Sequence, residues 1–268
     1  MPIKLIAIDI DDTLITDELI IPQGCKEAIN KARRRGVKVV LATGRMPAST
    51  IPFAEELGLS EPVICYNGAL IQAANDGPPL IHHPVPLELA REIVALGKAE
   101  GLHVNIYLDG LMYVAELNEY TEFYSSFTKT KAHPVGDLLA FIDRPPTKIL
   151  YVCEGSIAEK WQRILAERYQ GQLEVFRSKP QYLEFTNIGV SKGAALKELA
   201  GLYGLVPDEV MAIGDSFNDI SMLEYAGIGV AVANAPAAVR SKADYVTRSN
   251  EECGVAEAIQ RFVLNGEG

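Results

Sequence analysis

The sequence predicts an α/β fold built on a doubly wound parallel sheet, with a second domain inserted into it. The first observation is a set of short apolar runs, at residues 5–8, 37–42, 63–66, 210–213 and 228–233. The runs are continuous instead of alternating, which is typical of strands buried on both faces of a parallel sheet. The second observation is that helical patterns lie between the runs. The third is that the middle of the chain does not follow this alternation of strands and helices.

Helical segments alternate with these runs. Residues 22–35 have an apolar face and stop at Gly36, a common residue just after a helix. Residues 192–203 follow Ser191, whose hydroxyl suits the N-cap position, and precede Gly204. Alternation of strands and helices predicts a parallel sheet with helices on both faces.

The middle of the chain has a different pattern. Residues 75–77 read Asn-Asp-Gly between two short apolar runs and predict a hairpin turn. From 87 to 185 the order is helix, hairpin, helix, strand, helix and two strands, which is an α+β pattern. We therefore predict a discontinuous core formed by residues 1–83 and 187–268, and an inserted domain at 84–186.

The charge and composition narrow the function classes. The 268-residue chain has a net charge of -10, which disfavours nucleic acid and anionic membrane surfaces as partners. The same charge would repel a phosphorylated ligand unless a cation were present, so a phosphate ligand would imply a metal. The four cysteines show no metal-ligand spacing, and no apolar run approaches membrane-spanning length. We expect a cytoplasmic protein, and the sequence leaves its oligomeric state open.

Polar residues follow the apolar runs at the ends where the strands finish. The carboxyl edge of an open parallel sheet is where ligands bind, so these side chains are expected to converge although they are distant in sequence. The residues are Asp9, Asp11, Thr43, Asn67, Asp215 and Asn218.

Two acidic clusters carry the expected chemistry. Residues 9–13 read DIDDT and residues 214–219 read GDSFND, each directly after a buried run. Adjacent carboxylates repel one another, and a hard cation such as Mg²⁺ with its preference for oxygen ligands would stabilise them. The alternative is that these acids only form turns or cap helices, as Asn218 or Asp219 could do.

Lys192 lies in the first turn of its predicted helix. The helix dipole disfavours a cation there by roughly several tenths of a kcal/mol, which suggests an anionic partner; the alternative is a solvated lysine. Thr43, Gly44 and Arg45 follow the second run, where a hydroxyl and a glycine would let backbone N–H groups approach an anion. Taken alone, this tripeptide is better explained as an ordinary turn.

With these residues in place, the chain resembles the haloacid dehalogenase-like hydrolase superfamily. Residues 9–13 are similar to its first motif, DxDxT, and Thr43 and Lys192 to its second and third. Residues 214–219 are similar to the fourth motif, GDxxND. Asn67-Gly68 and the long insert before Lys192 resemble the Cof-type phosphatase branch. The resemblance implies a Rossmann-like core and an α/β cap domain in the insert.

The resemblance also implies a role for each residue. Asp9 would be the nucleophile and Asp11 the general acid and base. Mg²⁺ would be held by Asp9, the main-chain carbonyl of Asp11 and Asp215. The residues expected to bind the phosphoryl group are Thr43, Gly44, Lys192 and Asn218, and those expected to support the site are Asp219, Asn67 and Arg45.

The resulting hypothesis is a magnesium-dependent phosphatase that hydrolyses a small phosphorylated metabolite, a sugar phosphate or similar, through an aspartyl-phosphate. The alternatives are a phosphomutase of the same superfamily and a non-catalytic phosphate-binding regulatory module. The insert contains no concentrated arginine cluster for a second phosphate, which favours hydrolysis over mutation. The substrate itself cannot be read from the sequence. Candidate substrate contacts in the insert, each also explained as an ordinary sheet-face residue, are Asn105, Tyr107, Tyr113, Glu116 and Glu184.

Overall fold

A computed structural model describes residues 2–74, 77–128 and 130–265. The chain divides into two compact units. The first contains Met1–Gly44, Thr50–Leu80 and Ser191–Gly268, and the second contains Arg45–Ser49 and Ile81–Val190. The predicted hairpin turn at Asn75 and Asp76 lies outside the described residues.

The strands, in chain order, are β1 (Leu5–Ile8), β2 (Lys38–Leu41), β3 (Val63–Cys65), β4 (Leu70–Gln72), β5 (Pro79–His82), β6 (His103–Leu108), β7 (Leu111–Val114), β8 (Ala132–Pro134), β9 (Lys148–Val152), β10 (Leu173–Lys179), β11 (Tyr182–Asn187), β12 (Val210–Gly214), β13 (Ile228–Ala231) and β14 (Tyr245–Val246).

The helices are α1 (Gln23–Arg34), α2 (Pro47–Glu56), α3 (Leu87–Ala99), α4 (Glu119–Thr128), α5 (Leu138–Phe141), α6 (Gly155–Arg168), α7 (Lys192–Leu202), α8 (Ile220–Tyr225), α9 (Ala237–Arg240) and α10 (Gly254–Ile259). None of the helices in the described ranges combines the length and the apolar content that crossing a membrane requires.

The first unit is built on a parallel five-stranded sheet in the order β14-β13-β12-β1-β2. Ile8 at the end of β1 is paired with Leu41 on one side and Ile213 on the other, so these strands end in register. Every residue of β1 is buried, as expected for a strand covered on both faces. The predicted α/β class with a parallel core is confirmed.

The run at residues 63–66 departs from the simplest prediction. Strand β3 touches the parallel sheet through one bridge, from Ile64 to Ala42, and forms a separate small sheet in the order β3-β4-β5. Tyr66 and Asn67 adopt left-handed backbone conformations, with φ of 50° and 57°. These reverse the chain so that β4 returns antiparallel to β3.

The second unit contains a six-stranded sheet in the order β10-β11-β9-β6-β7-β8. The pairings from β10 to β7 are antiparallel, whereas β7 and β8 are parallel. One face is apolar: Ile106, Tyr151 and Phe185 belong to a buried core that also includes Ile93 of α3 and Leu165 of α6. The sequence did not predict the short elements β8 and α5.

Candidate active site

Asp9 lies at the carboxyl edge of the parallel sheet of the first unit, directly after β1. Its backbone N–H donates to the carbonyl of Ile213 at 3.0 Å, which fixes it beside the end of β12. The chain then turns through Asp12, which has a φ of 57° and whose carbonyl accepts a 2.7 Å hydrogen bond from Asn234 Nδ2. The turn returns Thr13 to the site, where its hydroxyl donates to Asp215 Oδ1 at 2.9 Å.

Asp215 and Asp219 lie at the two ends of one short turn, and hydrogen bonds fix both carboxylates. Ser216 Oγ donates to Asp215 Oδ2 at 2.8 Å. The backbone N–H groups of Asp215 and Ser216 donate to Asp219 Oδ2 at 3.0 and 2.9 Å. Asp219 therefore does stabilise a turn, as its capping role would require, but its other carboxylate oxygen also contacts Lys192.

A glycine makes this turn possible. A Cβ at Gly214 would lie 2.6 Å from Cβ and Cγ of Asp219, closer than two carbon atoms can approach without a shift. Gly214 therefore lets the Asp219 carboxylate fold back against the end of β12.

Lys192 forms two buried ion pairs at the start of α7. Its Nζ lies 2.5 Å from Asp9 Oδ1 and 2.5 Å from Asp219 Oδ1, and the side chain is only 1% exposed. Ser191 caps the helix by accepting from the Ala194 N–H at 3.1 Å. The ion pairs explain why a lysine occupies the first turn of a helix, and they exclude the solvated alternative.

The electrostatics show an excess of negative charge. Burial raises the pKa of Asp9 well above its ordinary value, and Asp219 and Asp215 add to the rise while Lys192 opposes it. Burial, followed by repulsion from Asp219, raises the pKa of Asp215 to about 6. Burial alone would lower the pKa of Lys192, but attraction to Asp219 and Asp9 raises it above its ordinary value.

The side-chain amides of Asn67, which is buried, and Asn218, which is half-buried, form a pair in the same unit. Asn218 Nδ2 donates to Asn67 Oδ1 at 2.9 Å. Within the described ranges, Asn67 Nδ2 and Asn218 Oδ1 are buried without a hydrogen-bond partner. A Cβ at Gly44 would lie 3.0 Å from Asn67 Oδ1, so Gly44 lets this amide approach the backbone after β2.

The remaining residues predicted for the site are Thr43, Asp11 and Arg45. Thr43 is buried, and its carbonyl accepts from the Asn67 N–H at 3.0 Å. Asp11 is half-buried, and its charge contributes to the raised pKa of Asp9, so it lies within electrostatic reach of that carboxyl. Arg45 belongs to the second unit, where its positive charge lowers the pKa of Tyr124 against the larger effect of burial.

Sequence reasoning gave no role to three residues that shape the site. Thr13 and Ser216 hold the two oxygens of Asp215, and Ser221 Oγ accepts from the Gly193 N–H at 3.0 Å beside Lys192. The threonine of DIDDT was visible as part of a motif. The two serines gave no signal, because serine is common in turns such as the one that contains Ser216, and Ser221 is a single polar residue of helix α8.

The donor set fits a divalent cation. Carboxylate oxygens of Asp9, Asp215 and Asp219 lie within 4.8 Å of one another, and all three residues are buried. One lysine does not balance three carboxylates, and hard cations bind such oxygen clusters. Asp219 is the least available of the three as a metal ligand, because its two oxygens already accept hydrogen bonds from Lys192 and from two backbone N–H groups.

The fold and site define an α/β enzyme with a buried aspartate cluster at the carboxyl edge of its sheet. The chain matches the family model of haloacid dehalogenase-like hydrolases over residues 6–259. In Bacillus subtilis strain 168, the 5-amino-6-(5-phospho-D-ribitylamino)uracil phosphatase YcsE is 34% identical, over 98% of this chain and 96% of its own. The pyridoxal phosphate phosphatase YbhA of Escherichia coli K12 is 28% identical, over 98% and 100%.

A solved structure of the same family is also similar to this chain. A haloacid dehalogenase-like hydrolase from Bacteroides thetaiotaomicron has a TM-score of 0.89 and 32% identity to this chain, covering 97% of this chain and 99% of its own. The chain belongs to the haloacid dehalogenase-like hydrolase family, and it is a phosphatase, a phosphoric monoester hydrolase. The resemblance and the enzyme class predicted from the sequence are confirmed.

Proposed function

We propose that this chain is a magnesium-dependent phosphatase that hydrolyses a small phosphorylated metabolite through an aspartyl-phosphate on Asp9. The observation that carries the proposal is the position of Lys192, whose ammonium group is fixed in a buried site against Asp9 and Asp219. A fixed cation beside a nucleophilic carboxylate is what charge stabilisation of phosphoryl transfer requires. The named relatives act on small phosphorylated compounds, which supports the substrate class.

The first step transfers the phosphoryl group to the enzyme. A carboxylate oxygen of Asp9 attacks phosphorus, and the bond from phosphorus to the ester oxygen breaks. Asp11, which the half-buried turn leaves accessible, gives its proton to the leaving oxygen. Lys192, Thr43, Gly44 and Asn218 would bind the phosphoryl oxygens, and Asn67 and Arg45 would support them. Asp219 positions Lys192.

The second step regenerates the enzyme. Asp11 now accepts a proton from water, whose oxygen attacks phosphorus, and the bond from phosphorus to Asp9 breaks to release inorganic phosphate. Asp9, the main-chain carbonyl of Asp11 and Asp215 would hold Mg²⁺, with the Asp215 carboxylate oriented by Thr13 and Ser216. When bound, the cation would neutralise phosphate charge among the carboxylates.

The inserted region has a role in this proposal. We assign residues 84–186 as the cap domain, which supplies contacts to the leaving group and excludes water during the reaction. The division of the chain into two compact units supports a separate role for this segment. Hydrolysis is favoured over phosphate return to a second hydroxyl because the relatives reported above are named phosphatases.

The test measures released inorganic phosphate and any isomeric ester from a panel of phosphorylated metabolites. We expect phosphate release that requires Mg²⁺, stops with a chelator and is abolished in Asp9→Asn. The matched control is Asp12→Asn, because Asp12 is exposed and asparagine tolerates its left-handed backbone. Turnover in Asp9→Asn, or an isomeric ester as the main product, would reject the proposal.

A further inference from the structure

An exposed asparagine of the first unit joins two segments that are distant in sequence. Asn234 lies shortly after β13, and its Nδ2 donates to the carbonyl of Asp12 at 2.7 Å. Its Oδ1 accepts from the Asn250 N–H at 3.1 Å. Both polar groups of this surface side chain are therefore committed to protein partners, which lie 222 and 16 positions away along the chain.

Asn250 extends this contact into the core. It is only 5% exposed, and its Nδ2 donates to the carbonyl of Ile15 at 3.0 Å. The Ile15 N–H in turn donates to the Ile10 carbonyl at 3.1 Å, which closes the turn between these two residues. We call Asn234 and Asn250 the asparagine brace. The brace holds two carbonyl groups of the turn that follows β1.

The backbone of this turn needs a restraint at Asp12. Asp12 has a φ of 57°, in the left-handed region that residues with a side chain adopt only uncommonly. Its carbonyl group is the one that accepts from Asn234. Asp11 directly precedes it, with an extended backbone at φ -70° and ψ 133°. Because the peptide between the two residues is planar and rigid, a change in the orientation of Asp12 moves the Cα of Asp11.

Asp11 is the residue of the proposed mechanism whose action depends most on its position. Its carboxyl group must lie within hydrogen-bond distance of the ester oxygen to protonate it, and misplacement by about 1 Å can cost about a hundredfold in rate. We infer that the asparagine brace positions Asp11 for proton transfer to the leaving group, and that Asn234 is a positioning residue of the reaction. The inference rests on the proposed function. The alternative is that the brace only fastens the C-terminal segment to the core.

Two variants remove the hydrogen bond to Asp12 in different ways. Asn234→Ala removes both bonds of the side chain. Asn234→Asp keeps an oxygen that accepts from the Asn250 N–H, but its other oxygen cannot donate to the Asp12 carbonyl and repels it. The control is Arg240→Met, because Arg240 Nη1 bonds to the carbonyl of Ala233, next to Asn234, and this bond does not involve the turn. Asn234 and Arg240 are exposed, so we expect all three variants to fold, which urea unfolding checks.

The experiment compares kcat/KM for phenyl phosphate and 4-nitrophenyl phosphate in the presence of Mg²⁺. The two esters present the same ring to the protein, but nitrophenolate leaves readily without a proton and phenolate does not. The ratio kcat/KM reports the steps up to departure of the leaving group, so the later attack of water does not enter the comparison.

We expect both Asn234 variants to lower kcat/KM for phenyl phosphate by about ten- to a hundredfold, because general acid catalysis of this step is impaired. The fall for 4-nitrophenyl phosphate should be at least about fivefold smaller, since that leaving group depends less on a proton. Arg240→Met should change neither value by more than about twofold.

A merely structural role for the brace would lower the fraction of active enzyme or its affinity for Mg²⁺, and would reduce both values equally. Equal losses for the two esters in the Asn234 variants would therefore overturn the inference, as would wild-type values in Asn234→Asp. If the wild type releases phosphate from neither the aryl esters nor any metabolite, the proposed function fails and the inference falls with it. Equal losses in an otherwise active enzyme reject the inference alone.

Discussion

At the scale of single residues, Lys192 shows how the sequence and the structure support one another. Its place in the first turn of a helix is unfavourable by roughly several tenths of a kcal/mol, so the sequence alone indicated an anionic partner. The structure identifies two partners, Asp9 and Asp219, which lie 183 and 27 positions away along the chain. The position of Lys192 in its helix predicts an anionic partner but does not identify Asp9 or Asp219, because it depends only on the local sequence.

We expect Lys192→Met to be strongly destabilising in the absence of Mg²⁺. The substitution removes the one cation that two buried carboxyl groups, those of Asp9 and Asp219, share, and breaking a buried ion pair typically costs about 3–5 kcal/mol. Urea unfolding at neutral pH measures the loss. The control is Lys197→Met on the exposed side of the same helix, where we expect a change within about 0.5 kcal/mol. Equal losses for the two variants would contradict the account of Lys192.

At the scale of elements, the contact between α7 and α8 depends on glycine. The Gly193 N–H bonds to Ser221 Oγ at 3.0 Å, and a Cβ at Gly193 would lie 2.1 Å from the Ser221 carbonyl oxygen. Only a residue without a side chain lets the start of α7, which carries Lys192, pack this closely on α8.

Two glycine-to-alanine substitutions in α7 are therefore expected to act in opposite directions. Gly193→Ala forces the two helices apart and should destabilise the protein by about 1–3 kcal/mol. Gly201→Ala meets no atom within 4 Å and should stabilise by about 0.5–1 kcal/mol, because alanine restricts the unfolded chain more than glycine does. The measurement compares the urea unfolding midpoint of each variant with that of the wild type. Changes of the same sign would show that packing against α8 does not govern this helix.

The contact between β6 and α4 is expected to depend on pH through His103. Its ring nitrogens lie 3.2 Å from Asn118 Nδ2 and 3.3 Å from Thr121 Oγ1, an arrangement that suits the neutral ring. Burial lowers the pKa of His103 below 6.5, although Asn105 and Glu116 oppose the shift. Because the unfolded chain then binds the proton first, stability is fully present above about pH 6.5 and falls as the pH drops toward the folded-state pKa.

The measurement for His103 compares urea unfolding of the wild type and His103→Gln at pH 7.5 and 5.5. Other groups titrate in both proteins, so the difference between them isolates His103. We expect the wild type to lose more stability on acidification than the variant. An equal or larger loss in the variant would refute the assignment of a neutral buried ring.

The parts of the fold that the sequence could predict are those set by burial pattern. Continuous apolar runs predicted the parallel strands, because a strand covered on both faces has no polar side. The branching of β3 away from the main sheet was not predicted, since it depends on left-handed backbone at Tyr66 and Asn67. Asn105 and Glu184 were named as candidates, but only the strand register shows that they share a row through Leu150.

At the scale of the whole molecule, charge balance links stability to the metal. The chain carries a net charge of -10, and three buried acids cluster at one edge of the sheet, where Lys192 forms ion pairs with two of them. A divalent cation that binds this cluster only in the folded state shifts the unfolding equilibrium by mass action. The metal should therefore act on stability even when no substrate is present.

We expect Mg²⁺ at about 100 times its dissociation constant to add about 2.7 kcal/mol to the unfolding free energy, which corresponds to a rise of about 5–10 °C in Tm. Thermal unfolding with and without Mg²⁺ measures the rise, and a chelator should reverse it. In Asp215→Asn the rise should be largely lost, because the variant removes a carboxylate that Thr13 and Ser216 orient toward the cluster. The control is Asp208→Asn, an exposed acid of the same unit, which should respond like the wild type. An undiminished rise in Asp215→Asn would mean that the cation stabilises the fold elsewhere, and the proposed metal site would be wrong.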